Sequence, residues 1–166
     1  MKNFLHLLLL FVLGLFGPAG TNAATYYWVG GSGNWSDYAM HWATSSGGST
    51  FHASIPTIND DVVIDAASFT ATGQVLNLDS TFYYCNSMSW SGAQFNPTFE
   101  GNGATLNLRG SIAFTAGMTV SNVNLVMSAT TGSHTIDLAG QYAYGVTIDA
   151  NAAYVLSSPL TCIGPV

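Results

Sequence analysis

Positive charge is nearly missing from this chain: Lys2 and Arg109 are its only Lys or Arg residues, against eight carboxylates. Polyphosphate binding rests on many Lys and Arg contacts, so nucleic acid is excluded as a partner and an anionic membrane surface is a poor one. Cysteine is almost as scarce, since Cys85 and Cys162 allow a single disulfide and neither belongs to a Cys-x-x-Cys pair. A long hydrophobic run occurs once, from Phe4 to Phe16. No stretch after Gly48 repeats apolar residues at a sustained 3.6-residue period, which excludes a largely helical domain. The low charge is not a mark of disorder, because 48% of the residues are apolar and 13% aromatic, and disordered chains lack both.

The one hydrophobic run has the layout of a secretory leader. Lys2 supplies its positive start, Gly17-Pro18 ends the apolar stretch, and the small residues Ala19, Ala23 and Ala24 follow. The thirteen residues from Phe4 to Phe16 are too few for a membrane-crossing helix, which needs about 20. Cleavage after Ala23 or Ala24 is expected, leaving a secreted chain or one held on the outer cell surface, with no membrane span. Arg109 is then alone against the eight carboxylates, a formal charge of −7. Three parts are expected: the leader over 1–23, a Trp- and Gly-rich N-terminal cap over 24–58, and β-rich coils over 59–166 that read as truncated at their C-terminal end.

The coils are expected from short strand-like segments: Val62 to Asp65, Gln74 to Asp79, Ala104 to Arg109, Asn124 to Met127 and Tyr144 to Asp149, with Gly, Asn, Ser and Thr between them. Ser36 to Ala43 is the one weak helix candidate, with Ser36 or Asp37 as its cap. The segments resemble one another. Leu76-Asn77-Leu78-Asp79-Ser80 returns thirty residues on as Leu106-Asn107-Leu108-Arg109-Gly110-Ser111, and Val63-Ile64-Asp65-Ala66 returns as Thr135-Ile136-Asp137-Leu138 and as Thr147-Ile148-Asp149-Ala150. Such self-similarity points to an all-β, right-handed parallel β-helix, in which inward residues of successive coils form ladders. A β-sandwich is the alternative. Interchangeable Val, Ile and Leu at the inward positions, with no large inward tryptophan, favour the β-helix. In a solenoid, Cys85 and Cys162 fall several coils apart, so isolated buried thiols are expected, with a disulfide as the alternative in an exported chain.

The chemistry-bearing residues are few. His41, His52 and His134 stand at no zinc-type spacing. A polysaccharide lyase needs basic residues, and Arg109 is the only Lys or Arg left; a glycosidase would draw its two carboxylates from Asp60, Asp61, Asp65 and Glu100. The expected class is non-catalytic. Two groups are candidates for binding. Tyr26, Tyr27, Trp28, Trp35, Tyr38 and Trp42 either stack on sugar rings, with Trp28, Trp35, Trp42 and Tyr38 as the platform, or plug the open end of the solenoid. Asp60, Asp61 and Asp65, with Asp37 and Asn59 near them, have the oxygen chemistry of a Ca²⁺ site, or brace turns. No other cofactor is implied.

The run Tyr27-Trp28-Val29-Gly30-Gly31-Ser32-Gly33-Asn34-Trp35-Ser36-Asp37, followed by His41-Trp42, Ile55-Pro56-Thr57 and Asn59-Asp60-Asp61-Val62-Val63-Ile64-Asp65, resembles the N-terminal region of large secreted β-helical surface proteins of Bacteroidetes. Cys85 to Gly92, Leu106 to Ser111 and Thr130 to Ile136 resemble the coils that follow in those proteins. The resemblance implies an adhesin-like module of the kind associated with type IX secretion and gliding motility, with glycans or other surface proteins as partners. Such proteins often end in a sorting domain, and here the sequence stops at Gly164-Pro165-Val166, straight after a predicted strand. A structural or adhesive surface module is therefore expected, with a carbohydrate-binding module as the first alternative and part of a polysaccharide-degrading enzyme as the second.

Overall fold

Segments in which every second side chain is apolar form strands with one buried face, and stacking them in register extends that face into a continuous core. The computed structural model describes residues 23–164, so the leader expected over 1–23 lies, all but Ala23, outside the described residues. The chain first passes through β1 (Thr25–Trp28) and β2 (Gly33–Asn34), then leaves the stack in an excursion holding a single helical turn, α1 (Tyr38–His41), and β3 (Trp42–Ala43). It returns as β4 (Asp61–Val63), β5 (Val75–Asn77) and β6 (Phe82–Cys85). The same three-strand course recurs as β7 (Met88–Ser89), β8 (Thr98–Glu100) and β9 (Thr105–Leu108), and as β10 (Ile112–Ala113), β11 (Thr119–Ser121) and β12 (Asn124–Met127). Next come β13 (Ser133–Asp137), β14 (Tyr142–Ala143) and β15 (Gly145–Ile148), then β16 (Ala153–Leu156) and β17 (Thr161–Cys162).

The courses β4–β6, β7–β9 and β10–β12 each contribute one strand to each of three faces. The first face is the sheet β16-β13-β10-β7-β4-β1-β3, the second β11-β8-β5-β2, the third β15-β12-β9-β6, while β14 pairs with β17. Every strand pair is parallel except β1 with β3. This is a parallel β-helix; a sandwich would pair its strands antiparallel. Parallel stacking already begins at Thr25, which pairs with Asp61, so the boundary drawn at residue 58 does not mark its start.

The ladders show what repeats. Tyr26, Val62, Met88, Ile112 and Ile136 lie in line on the first face, and Tyr83, Leu106 and Leu125 on the third, all buried. Met88, Ile112 and Ile136 are 24 residues apart, and Leu106 and Leu125 are 19 apart. The thirty-residue repeat is therefore not the coil: Leu76 belongs to β5 on the second face and Leu106 to β9 on the third. Strands on different faces share one inward-outward alternation, so a local pattern recurs between faces as readily as between coils. The core also departs from the expected Val, Ile and Leu. Trp90 is fully buried among Phe69, Phe99 and Phe114, with ring centroids 6.0, 5.3 and 6.4 Å away. Cys85 is buried and Cys162 exposed, both as free thiols. Burial pushes the Cys85 thiol up, and the nearby Asp61 carboxylate adds to the effect, so the sulfur stays protonated and unreactive.

Candidate functional site

The N-terminal aromatic residues pack inward. Trp28, Trp35 and Trp42 are each 0% exposed. Trp42 meets Trp28 and Trp35 edge to face, at centroid distances of 4.9 and 4.7 Å, and the His41 ring lies flat on Trp28 at 4.5 Å. The indole Nε1 of Trp28 donates to the Gly31 carbonyl and that of Trp42 to the Trp35 carbonyl, both at 2.8 Å. Gly31 holds a positive φ of 79°, and a side chain at Gly33 would drive into the His41 imidazole, so the linker between the tryptophans admits little else. Of the four residues expected to form a sugar platform, only Tyr38 is exposed, at 41%. The tryptophans therefore form no sugar platform, contrary to expectation: stacking needs a ring face open to the ligand, and these faces are covered by protein. Strand β3 lies along the free edge of β1, where unpaired backbone groups would otherwise invite another chain.

The helical turn falls where Ser36 to Ala43 was expected, but Asp37 at its start makes no capping bond through its side chain. Ser36 instead gives its hydroxyl to Asp79 at 2.5 Å, and the Tyr83 hydroxyl donates to the same carboxylate at 2.6 Å. Burial alone would raise the Asp79 pKa, yet these bonds outweigh it and hold the carboxyl below its ordinary value.

The carboxylates considered for Ca²⁺ turn to their own chain. Asp60 accepts from the Ala24 and Thr57 amides, each at 2.9 Å, and from the Thr57 hydroxyl at 2.6 Å. Asp61 accepts from the Asn86 amide side chain at 2.8 Å and the Ser87 amide at 3.1 Å, and Asp65 from the Ala67 amide at 2.9 Å. Among the described residues no group of three or more His, Cys, Asp or Glu is arranged to hold a metal ion. For Asp60, burial pushes the pKa up, but the hydrogen bonds from Thr57 and Ala24 and the nearby His52 prevail and lower it. The histidines are likewise spent on structure: His41 Nδ1 lies 2.7 Å from the Val29 carbonyl, His52 Nε2 3.2 Å from that of Thr25, and His134 Nε2 3.0 Å from that of Thr131.

By bracing the turn at Thr57, Asp60 also sets the wall of a groove. The segment Ile55–Ile58 stands beside the outer surface of the third face and, with Tyr84, Asn107, Arg109 and Ser128, lines an open groove of about 630 Å³, within the ~300–1,000 Å³ range of small-molecule sites. Tyr84 and Asn107 are cross-strand partners of β6 and β9, both pointing outward because Tyr83, Cys85, Leu106 and Leu108 point in. The Tyr84 ring is 46% exposed. Asn107 Oδ1 accepts from the Ser128 hydroxyl at 2.5 Å, which turns the Asn107 NH₂ away from that bond. Arg109 donates through Nη1 to Asn59 at 3.2 Å, and this is its one side-chain hydrogen bond among the described residues. None of these groove residues was singled out for binding from the sequence. One signal was there, Arg109 being the one Lys or Arg after Lys2; the uniformly apolar Phe82-Tyr83-Tyr84-Cys85 gives no sign of which side chains face outward.

Fold and site together define a parallel β-helix closed at one end by buried aromatic rings and grooved along one flank. No protein family model matches the chain, and no curated protein or solved structure was found similar to it.

Proposed function

We propose that the chain is a secreted, non-catalytic adhesive module of a bacterial surface protein, resembling the adhesin-like β-helical proteins in its N-terminal run and coils. A rigid stack of parallel coils holds outward side chains in fixed rows, and such rows suit many weak contacts with glycans or a neighbouring protein. The observation that carries this reading is the chemistry of the groove. Asn107, Arg109 and Ser128 supply an amide, a guanidinium and a hydroxyl; these donate and accept hydrogen bonds but supply no base able to take a proton at neutral pH. These groups support a binding role for the groove.

Two measurements test this. When the full chain is expressed with its leader in a Gram-negative host, the exported protein should begin at Ala24 or Thr25, as read by mass spectrometry; retention of the intact chain in the cytoplasm overturns the secreted assignment. Polysaccharides incubated with the purified protein should be recovered at unchanged length, and shortening of any of them overturns the non-catalytic assignment.

A further inference from the structure

Three properties of the groove specify a ligand more closely than adhesion does. Its floor offers an exposed aromatic ring, Tyr84, beside the aliphatic side chains of Ile55 and Ile58 on the opposite wall. A flat apolar surface flanked by apolar side chains matches the C–H face of a pyranose. Beside the ring stand Asn107 and Ser128, spaced along successive coils, where their amide and hydroxyl face the groove. Two residues on from Asn107, directly after β9 in the same coil, stands Arg109. It is the only Lys or Arg after Lys2 in a chain of eight carboxylates, and the sole hydrogen-bond partner of its guanidinium among the described residues is the neutral amide of Asn59. A guanidinium without a carboxylate partner keeps donors for one, and Arg pairs with carboxylate through two parallel bonds.

We propose that this groove binds an oligosaccharide bearing a sparse carboxylate, such as a uronic acid set among neutral sugars, with Tyr84 stacking on a ring and Arg109 holding the acid group. The charge balance selects sparse over dense: one cation matches one carboxylate, while the surrounding negative charge repels a polyanion. Asp60 is a positioning residue, since its bonds to Thr57 hold the Ile55–Ile58 wall against the third face. The proposal rests on the adhesive reading and gives it a site and a ligand class.

The test is a glycan array of neutral, singly uronate-bearing and polyuronate oligosaccharides probed with the exported chain, followed by calorimetric titration of the strongest binder and of its methyl ester. Singly uronate-bearing glycans should lead the array. Arg109→Gln should weaken binding of the acid about tenfold or more and leave the methyl ester unchanged; Tyr84→Ala should weaken both. Arg109→Lys should restore part of the lost preference for the acid, and added salt should weaken the acid and spare the ester. Both side chains are exposed, so unchanged melting temperatures show that the variants fold. A leading neutral glycan, no glycan bound at all, or acid binding that survives both Arg109→Gln and Tyr84→Ala overturns the groove assignment. The adhesive reading fails differently, by cleavage of a bound glycan, which leaves the role of Arg109 in binding intact.

Discussion

Four tryptophans lie in the core under two different conditions, and the difference is measurable. The indole N–H groups of Trp28 and Trp42 donate to backbone carbonyls at 2.8 Å, whereas those of Trp35 and Trp90 are buried without an acceptor among the described residues. Replacement by Phe removes the N–H in all four. At Trp28 and Trp42 it orphans a carbonyl, while at Trp35 and Trp90 it relieves an unsatisfied donor, a contrast worth about 1–3 kcal/mol. Chemical denaturation should therefore show Trp28→Phe and Trp42→Phe as the costlier pair. Trp90→Ala, which empties the space between Phe69, Phe99 and Phe114, should cost about 3–5 kcal/mol and exceed Trp90→Phe clearly. Equal losses across the four Phe variants would refute the assignment of acceptors. The crowding of Trp28, Trp35 and Trp42 was legible in the sequence, but burial was not: an aromatic ring suits a core and a sugar platform equally well until its neighbours are known. The same holds for Asp60, Asp61 and Asp65, whose oxygen chemistry is visible in sequence while their backbone partners are not.

At the same scale, Asp60 and Asp79 set an acid limit. Both carboxyls sit below their ordinary value in the folded chain. The stability they contribute is complete above the unfolded carboxylate pKa, near 3.9, and is lost as pH falls through the lower folded values. Melting temperature should accordingly hold steady at mildly acidic pH and fall below about pH 4. Asp60→Asn should flatten part of that fall while lowering stability at neutral pH, because the amide keeps the shape and loses the charge-assisted bonds to Ala24 and Thr57. A variant with an unchanged acid limb would remove Asp60 from this role.

Elements are joined by corners where one coil rests on the next, and there the tolerance for side chains depends on what they meet. A Cβ at Gly101 would run into the Asn122 carbonyl and lie 2.7 Å from Val123 Cα, all backbone of the following coil. A Cβ at Gly117 meets only the end of the Asn96 side chain, its Oδ1 at 2.6 Å and Cγ at 3.7 Å. Backbone in a stacked coil cannot step aside, whereas a side-chain amide can rotate. Gly101→Ala should thus destabilise by about 1–3 kcal/mol and Gly117→Ala by much less, as read by thermal melts; the reverse order would mean that the coil corners differ from those described. Strand existence was legible where apolar residues alternate, as in β9, or run together between polar turns, as in β12. Two-residue strands such as β7, β10 and β14 show too little alternation to be read, and their pairing depends on neighbours 19 to 26 residues away.

Across the whole molecule, each inward side chain is covered by the coil above it, so burial follows the stack. On the third face the row Cys85, Leu108 and Met127 is fully buried, and its next member, Ile148, is 54% exposed. On the first face Ile136 is 1% exposed and its partner Leu156 50%. At the other end the tryptophan cluster and β3 cover the first strand, leaving no inward residue of β1 open. Stability in such a stack is a sum of coil and interface terms, and a coil with one neighbour has one interface term fewer. Amide exchange on the full chain should therefore be slowest in β4, β7 and β10, and fastest in β15, β16 and β17, which open at a lower free energy than the rest. The solenoid itself was legible because inward Val, Ile and Leu recur in short segments, but this asymmetry was not, since Ile148 and Leu156 look like any other ladder residue until their exposure among the described strands is seen. Uniform protection from β1 to β17 would show one cooperative unit in place of a stack; protection lowest at β1 would show that the buried tryptophans do not close that end.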